Sequence, residues 1–333
     1  MSDATEADAT AGEVVPVAVA PISPRLWQHA GASLTGLACL VAGGGGIAGY
    51  LGRHWWVFDM ASHFRVQLSL VLLAGLAVFA LQRRRHAGIA VAGLLVATAA
   101  PLGPYLLLQR SPEVATKLRI ATLNVHTSNR DHASIIDWVL AERPDVVGFQ
   151  EVDDTWLAAL EAGLGDEYPY RRAHPRGDNF GMAVFSRLPI LDDEVLYFDG
   201  VSVPTMVVRL ERLTVVCAHP TPPFLSQESH TRRDHALAAI GDHAATLDGP
   251  VVLLGDLNTS PWSWSFADLC RRSGLRDAGR NAGINATWPT GNVLLSTPLD
   301  HILVSPDITV STYRATATVG SDHRPVICTI GAP

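Results

Sequence analysis

Apolar positions follow two different rhythms along this chain. Before residue 110 they form three long runs, 30–52, 66–82 and 87–108, and none of these contains a charged side chain. Runs of that kind approach or exceed what is needed to cross a hydrocarbon core of about 30 Å at about 1.5 Å per helical residue. The middle run is the shortest, and a buried core helix is its plain alternative. From Lys117 onward the rhythm changes: short β-branched runs alternate with amphipathic stretches, as in a layered domain of sheets and helices. The runs at 118–125, 145–152, 181–188, 206–210, 213–219, 251–258, 299–305, 308–316 and 325–330 predict strands, and 132–142, 155–163, 227–246 and 263–273 predict helices.

Three units follow from this pattern. Residues 1–25 are acidic and punctuated by proline, which predicts a disordered tail rather than a cleaved signal peptide. Residues 26–110 predict a membrane domain of three transmembrane helices, and 111–333 a catalytic domain joined by a short linker, about Gln109 to Thr116. Arg83, Arg84 and Arg85 separate the second and third runs and should stay cytoplasmic, which places the catalytic domain outside the cytoplasm. Arg53 and Arg65 weigh modestly against that orientation. Gly45 and Gly49 have a spacing that permits close helix contact, and leaves the oligomeric state open.

Charge narrows the partners. Residues 111–333 hold 18 Lys and Arg against 27 Asp and Glu, a formal charge of −9. Phosphate contacts supply most of the affinity of a duplex-binding protein, so this balance argues against nucleic acid. Cys39, Cys217, Cys270 and Cys328 form no CxxC pair or zinc spacing, and no disulfide framework is predicted.

The polar residues that break the apolar runs stand at predicted strand ends: Asn124, Glu151, His219, Asp256 and Asn258, joined by Asp300, Asp322 and His323. A carboxylate beside an apolar run is costly unless it is paired or bound to metal. Oxygen donors of this kind suit a hard cation such as Mg²⁺, with Mn²⁺ as a substitute. A zinc site is the alternative, although the histidines lack HExxH spacing.

The motifs ATLNV (121–125), FQEV (149–152), GMAVFSRLP (181–189), AHP (218–220), GDLN (255–258), LDHILVS (299–305) and GSDHRP (320–325) resemble, in this order, the endonuclease/exonuclease/phosphatase superfamily. The resemblance covers essentially all of 117–331. It implies an α+β fold, a two-layer β-sandwich flanked by helices of the deoxyribonuclease-I kind, here preceded by three transmembrane helices. It also implies a Mg²⁺-dependent phosphoester or phosphoanhydride hydrolase. Glu151 would be the principal metal ligand, with Asn124 and Asp322 in or near the shell. Asp256 and Asn258 would orient water and a phosphate oxygen. His323, held by Asp300, would act as general base or electrostatic partner, and His219 would donate to the phosphoryl oxygens. Asn124 and Arg187 are further phosphate contacts.

The membrane arrangement resembles the bacterial branch related to the teicoplanin-resistance protein. For that branch the implied activity is dephosphorylation of undecaprenyl pyrophosphate, linked to cell-wall precursor recycling and glycopeptide resistance. The alternative is an extracytoplasmic nuclease or phospholipid phosphodiesterase using the same site. In HWWVFDMASHFRVQL (54–68), Asp59, His63 and Arg65 are candidate head-group contacts, with an ordinary interfacial loop as the plain reading. Elsewhere the expectation is structural. His126, His174, His230, His235, His243, Arg232 and Arg233 should face water, His301 should be a structural partner, and Trp288 a packed loop anchor or a groove residue.

Overall fold

A computed structural model describes residues 24–108, 112–115 and 117–331. The tail expected at 1–25 therefore lies outside the described residues up to residue 23, and Pro24 and Arg25 open a helix instead. The linker positions 109–111 and 116 also lie outside them.

The first third is helical: α1 (Pro24–Ala48), α2 (Trp56–His63), α3 (Arg65–Leu81), α4 (Arg85–Ala99) and the single turn α5 (Gly103–Leu106). Helices α1, α3 and α4 pack on one another around Cys39, Leu72, Phe79 and Val91. Gly46 lets α1 approach α4, because a Cβ there would collide with the Thr98 side chain. Two stretches are long and apolar enough to cross a membrane, Ser33–Leu51 and Arg85–Leu106. The middle run differs from expectation: α3 has 17 residues and reaches a third crossing only together with α2, from which it bends by 69°. The outer faces carry exposed Leu34, Leu40, Val41, Leu73, Ile89 and Val96.

The remainder is two stacked six-stranded sheets. The first has the order β11 (Val310–Ala315), β12 (Val326–Gly331), β1 (Lys117–Asn124), β2 (Val146–Gln150), β4 (Met182–Ser186), β3 (Tyr170–His174). The second runs β5 (Ile190–Leu196), β6 (Thr205–Leu210), β7 (Thr214–Ala218), β8 (Val251–Asp256), β10 (Asp300–Val304), β9 (Arg276–Asp277). Alternation along each strand builds three layers of core. Ile120, Val215, Cys217 and Leu254 point between the sheets. Leu123 and Phe149 point outward under α6 (His132–Glu142) and α7 (Asp154–Leu164), joining Ile135 and Trp156. Val216 and Leu253 point outward under α8 (Gln227–Ala244) and α9 (Trp264–Ser273), joining Ile240 and Phe266. Strands covered on both faces read as continuous apolar runs, which is why they were legible.

Each of the four sandwich helices starts at a side-chain cap. Asp131, Asp153, Ser226 and Ser263 accept from the backbone N–H of Ser134, Trp156, Ser229 and Phe266. Cys39, Cys217 and Cys328 are buried free thiols and Cys270 a half-buried one.

Pairing decides where the polar residues gather. β1 runs parallel to β2, and β7 parallel to β8, so four carboxyl ends point to one edge of the sandwich. β10 is antiparallel to β8 with Asp300 opposite Asp256, so it begins at that same edge. β12 is antiparallel to β1 and also begins there.

The candidate active site

At that edge Asn124 leaves β1 and Glu151 leaves β2. Asn124 Nδ2 donates to Glu151 Oε1 at 2.9 Å and to Asp256 Oδ2 at 3.1 Å, tying the two sheets together. Glu151 Oε2 accepts from the Thr127 backbone N–H at 3.1 Å. Glu151 has a left-handed φ of 63°, and Asn258 one of 51°. Such backbone in a non-glycine residue is strained and persists only where the surroundings fix it. Here Thr127 Oγ1 bonds the Glu151 carbonyl at 2.8 Å, and Asn258 is held through its N–H to Asp256 Oδ1 at 3.0 Å and its Nδ2 to the Pro220 carbonyl at 3.0 Å.

The imidazoles converge on Asp256. His323 Nδ1 meets Asp300 Oδ2 at 2.8 Å while its Nε2 lies 3.6 Å from Asp256 Oδ2. His219 Nε2 lies 3.5 Å from the same oxygen. Burial alone would raise the Asp256 carboxyl, but His323 and His219 outweigh it and hold it well below the usual carboxylate range. Burial alone would lower His323, but Asp300 and then Asp256 raise it to about 10. Asp256, Asp300 and His323 offer ligand atoms within 4.8 Å of one another. Both nitrogens of His323 already face carboxylates, so this cluster reads as an oriented imidazole rather than a metal's ligand set.

A cation finds better donors beside it. Glu151 has no Lys or Arg within ion-pair distance among the described residues, and both its oxygens accept only from neutral N–H groups. Asp322 stands at the same cavity, its Oδ2 accepting from Trp288 Nε1 at 3.0 Å and its Oδ1 3.5 Å from His126 Nδ1. An uncompensated carboxylate, a second one nearby and an amide make an oxygen-rich set that fits a hard divalent ion.

The structure brings Asn124, Glu151, His219, Asp256, Asn258, Asp300, Asp322 and His323 to one place. Arg187 is not among them. β4 is antiparallel to β2 with Ser186 opposite Val146, so Arg187 falls at the opposite edge, 3.7 Å from Asp145. Two expectations of solvent exposure also fail. His230 and Arg233 are buried, at 2% and 0% exposure, while His126, His174 and His243 are half-exposed, His126 at the cavity. Arg233 packs against α2, which the periodicity of α8 alone could not reveal. Trp288 takes the groove role, lining the cavity. His301 is the structural partner expected, its Nε2 2.8 Å from the Thr259 carbonyl.

Some residues escaped the sequence reading. Ser321 Oγ bonds the Asn124 carbonyl at 2.7 Å and accepts from the His323 N–H at 3.0 Å, although it stands inside the GSDHRP motif. Phe180 packs its ring 5.4 Å from that of His219. Met60 and Phe64 of the helical unit also line the cavity, and no local pattern in the sequence places them there.

Comparison with known proteins gives the family and the fold. The model of the Endonuclease/Exonuclease/phosphatase family matches residues 121–323, well over half of the chain. A search of curated proteins finds no match. Among solved structures, the endonuclease/exonuclease/phosphatase from Beutenbergia cavernae is 21% identical with a TM-score of 0.53, covering 65% of this chain and 72% of its own. Humanized D. rerio TDP2 is 17% identical with a TM-score of 0.54, covering 65% and 99%. Sphingomyelinase C from Streptomyces griseocarneus is 19% identical with a TM-score of 0.50, covering 65% and 99%. Identities this low speak for the fold alone. The family match and the assembled site together identify the chain as a member of the endonuclease/exonuclease/phosphatase family, and as a metal-dependent hydrolase of phosphoric ester or anhydride bonds.

Proposed function

We propose that this enzyme removes the terminal phosphate from a polyprenyl diphosphate at the outer face of a bacterial membrane, with undecaprenyl pyrophosphate as substrate, in cell-wall precursor recycling linked to glycopeptide resistance. One observation carries the reading. A cavity of about 670 Å³ is lined both by Glu151, Asp256 and His323 and by Met60 of α2 and Phe64, the residue between α2 and α3. A site shared between catalytic side chains and an apolar helix preceding a membrane crossing suits a substrate that is phosphate at one end and hydrocarbon at the other.

The reading takes α1, the bent pair α2 and α3, and α4 with α5 as three crossings. The sandwich attaches at one end of this bundle, where Tyr105 Oη donates to Asp277 Oδ2 at 2.9 Å and Gln67 Nε2 to the Ser296 carbonyl at 3.1 Å. Arg83 and Arg84 join α3 to α4 and Arg85 opens α4, at the far end. Positive charge at the far end supports an extracytoplasmic sandwich.

A Mg²⁺ ion, or Mn²⁺ in its place, held by Glu151 with Asn124 and Asp322, would supply charge neutralisation for the attacked phosphoryl group. Asp256 and Asn258 orient the attacking water and a phosphate oxygen. His219 donates to the phosphoryl oxygens, His323, fixed by Asp300 and charged at neutral pH, is the electrostatic partner of the developing charge, and Asp256 accepts the proton that the water gives up. The new P–O bond forms to water as the bond to the bridging oxygen breaks, giving inorganic phosphate and the lipid monophosphate.

The test measures phosphate release from undecaprenyl pyrophosphate by the full chain with Mg²⁺, with EDTA, and with Glu151→Ala. Release that needs both metal and Glu151 is expected, with plasmid DNA and sphingomyelin untouched. Cleavage of either diester without phosphate release would move the enzyme to the nuclease or phosphodiesterase branch.

A further inference from the structure

Three ionisable side chains of the segment 54–68 are candidate head-group contacts, and the structure gives each a different place. Arg65 Nη1 donates to the carbonyls of Gly46 at 2.9 Å and Thr98 at 3.2 Å, and its guanidinium lies 4.4 Å from the Tyr50 ring centre, so it ties helices together. Asp59 Oδ2 accepts from Arg233 Nη2 at 2.6 Å. Only His63 reaches the cavity.

His63 is 4% exposed, and its Nε2 has no hydrogen-bond partner, lying 3.6 Å from Asp59 Oδ2. Its backbone is fixed to the sandwich, since its carbonyl accepts from Thr297 Oγ1 at 3.2 Å and Trp262 Nε1 at 3.4 Å. On the same wall Met60 and Phe64 flank it, three residues before and one after. The α2 wall of the cavity is thus apolar but for one imidazole, held in place by its main chain, whose Nε2 has only the Asp59 carboxylate near it, beyond hydrogen-bond distance. A polar group that deeply placed is costly unless a ligand satisfies it.

We propose that His63 is a substrate-binding residue: it donates to the inner phosphate of a diphosphate head group, the one joined to the apolar chain. The inference rests on the reading that the outer phosphate is attacked beside Glu151 and His323. The inner phosphate then lies toward α2, with the first carbons of the chain against Met60 and Phe64. When the bridging P–O bond breaks, the electron pair stays on the inner phosphate, and the His63 N–H faces the oxygen that gains charge. The helical unit therefore supplies part of the active site as well as the anchor.

The test uses the full chain and three farnesyl compounds: the monophosphate, the diphosphate, and a methylene-bridged diphosphonate that cannot be hydrolysed. His63→Ala is expected to weaken diphosphonate binding and raise the diphosphate KM by about tenfold or more, the worth of a hydrogen bond to a charged group. Monophosphate binding, which keeps the inner phosphate, is expected to weaken in parallel, while competitive inhibition by inorganic phosphate, which occupies only the outer position, and the melting temperature are expected to stay within twofold and about 2 °C of the parent. His63→Gln, which keeps a donor, is expected to recover most of the loss. An equal loss on inorganic phosphate and diphosphonate, or no loss on the diphosphonate, overturns the proposal. His63-dependent diphosphonate binding without phosphate release from the diphosphate leaves His63 standing and overturns the hydrolysis reading. Phosphate release with a KM indifferent to His63→Ala does the reverse.

Discussion

Replacing Asp59 with alanine is expected to loosen the sandwich from the helices that carry it and to slow turnover at a site that Asp59 does not touch. Asp59 Oδ2 and Arg233 Nη2 are 2.6 Å apart, with side chains 3% and 0% exposed. Removing one partner of a buried pair costs about 3–5 kcal/mol, because the other charge is left without compensation. Arg233 keeps a second partner, since its Nη2 also bonds Asp234 Oδ1 at 2.7 Å, and that carboxylate is partly exposed. The expected loss for Asp59→Ala is therefore about 2–3 kcal/mol. Arg233→Met leaves Asp59 with only His63, at 3.6 Å, and is expected to cost the fuller range of about 3–5 kcal/mol. The double variant should lose less than the sum, with a coupling above about 1 kcal/mol. Catalysis follows because Arg233 Nη1 donates to the Asn258 carbonyl at 3.2 Å, a brace on a residue whose φ is 51°. Loss of that brace is expected to lower kcat about tenfold, roughly 1.4 kcal/mol of transition-state positioning. Chemical denaturation of the full chain in detergent gives the stability terms, and phosphate release gives kcat. Single-variant losses that add within about 0.5 kcal/mol, with kcat unchanged, would refute the reasoning.

Three further outcomes are expected. Gly255→Ala should cost at least about 3 kcal/mol or prevent folding, since φ is 143° and a Cβ would sit inside contact distance of the Ala218 carbonyl oxygen; the melting temperature reports it. Asp300→Asn preserves shape but removes the charge that orients His323, so kcat should fall about a hundredfold or more while KM changes little, as steady-state kinetics will show. Burial and then the Arg233 charge lower His230 from its usual value to about 4. Its contribution to stability is thus present above pH 6.5 and lost as pH falls toward 4, where the unfolded chain binds a proton that the folded one resists. Between pH 8 and 4.5 that loss is roughly 2 kcal/mol, and denaturation of His230→Gln should show a correspondingly flatter profile.

The elements that the sequence revealed share one property: their neighbours in space are implied by their own pattern. β8 and β10 are apolar on both faces and closed by Asp256 and Asn258 or opened by Asp300, so strand and site residue could be read together. β3 and β5, by contrast, were not foreseen. Their sequences, YRRAH and ILDDEVL, are charged because each is the edge of its sheet, where water or an ion pair such as Arg209 with Glu194 replaces packing. Arg187 was placed by its motif, yet the direction of a strand decides which edge its last residue meets. His230, Arg233, Met60 and Phe64 were misjudged or missed for a further reason. Their partners come from the other unit, at separations such as the 174 positions between Asp59 and Arg233, where local periodicity carries no information.

The order of strands has a consequence for how activity arises during synthesis. β12 is the last strand in sequence, yet it lies inside its sheet between β11 and β1, and the turn leading into it carries Asp322 and His323. Every earlier segment can be made while β1 still lacks one neighbour and Asp256 and Asp300 lack the imidazole of His323. A chain stopped before β12 therefore has an open sheet edge and a site without Asp322 and His323. Hydrolytic competence arrives in a single step, when the final strand slots into place.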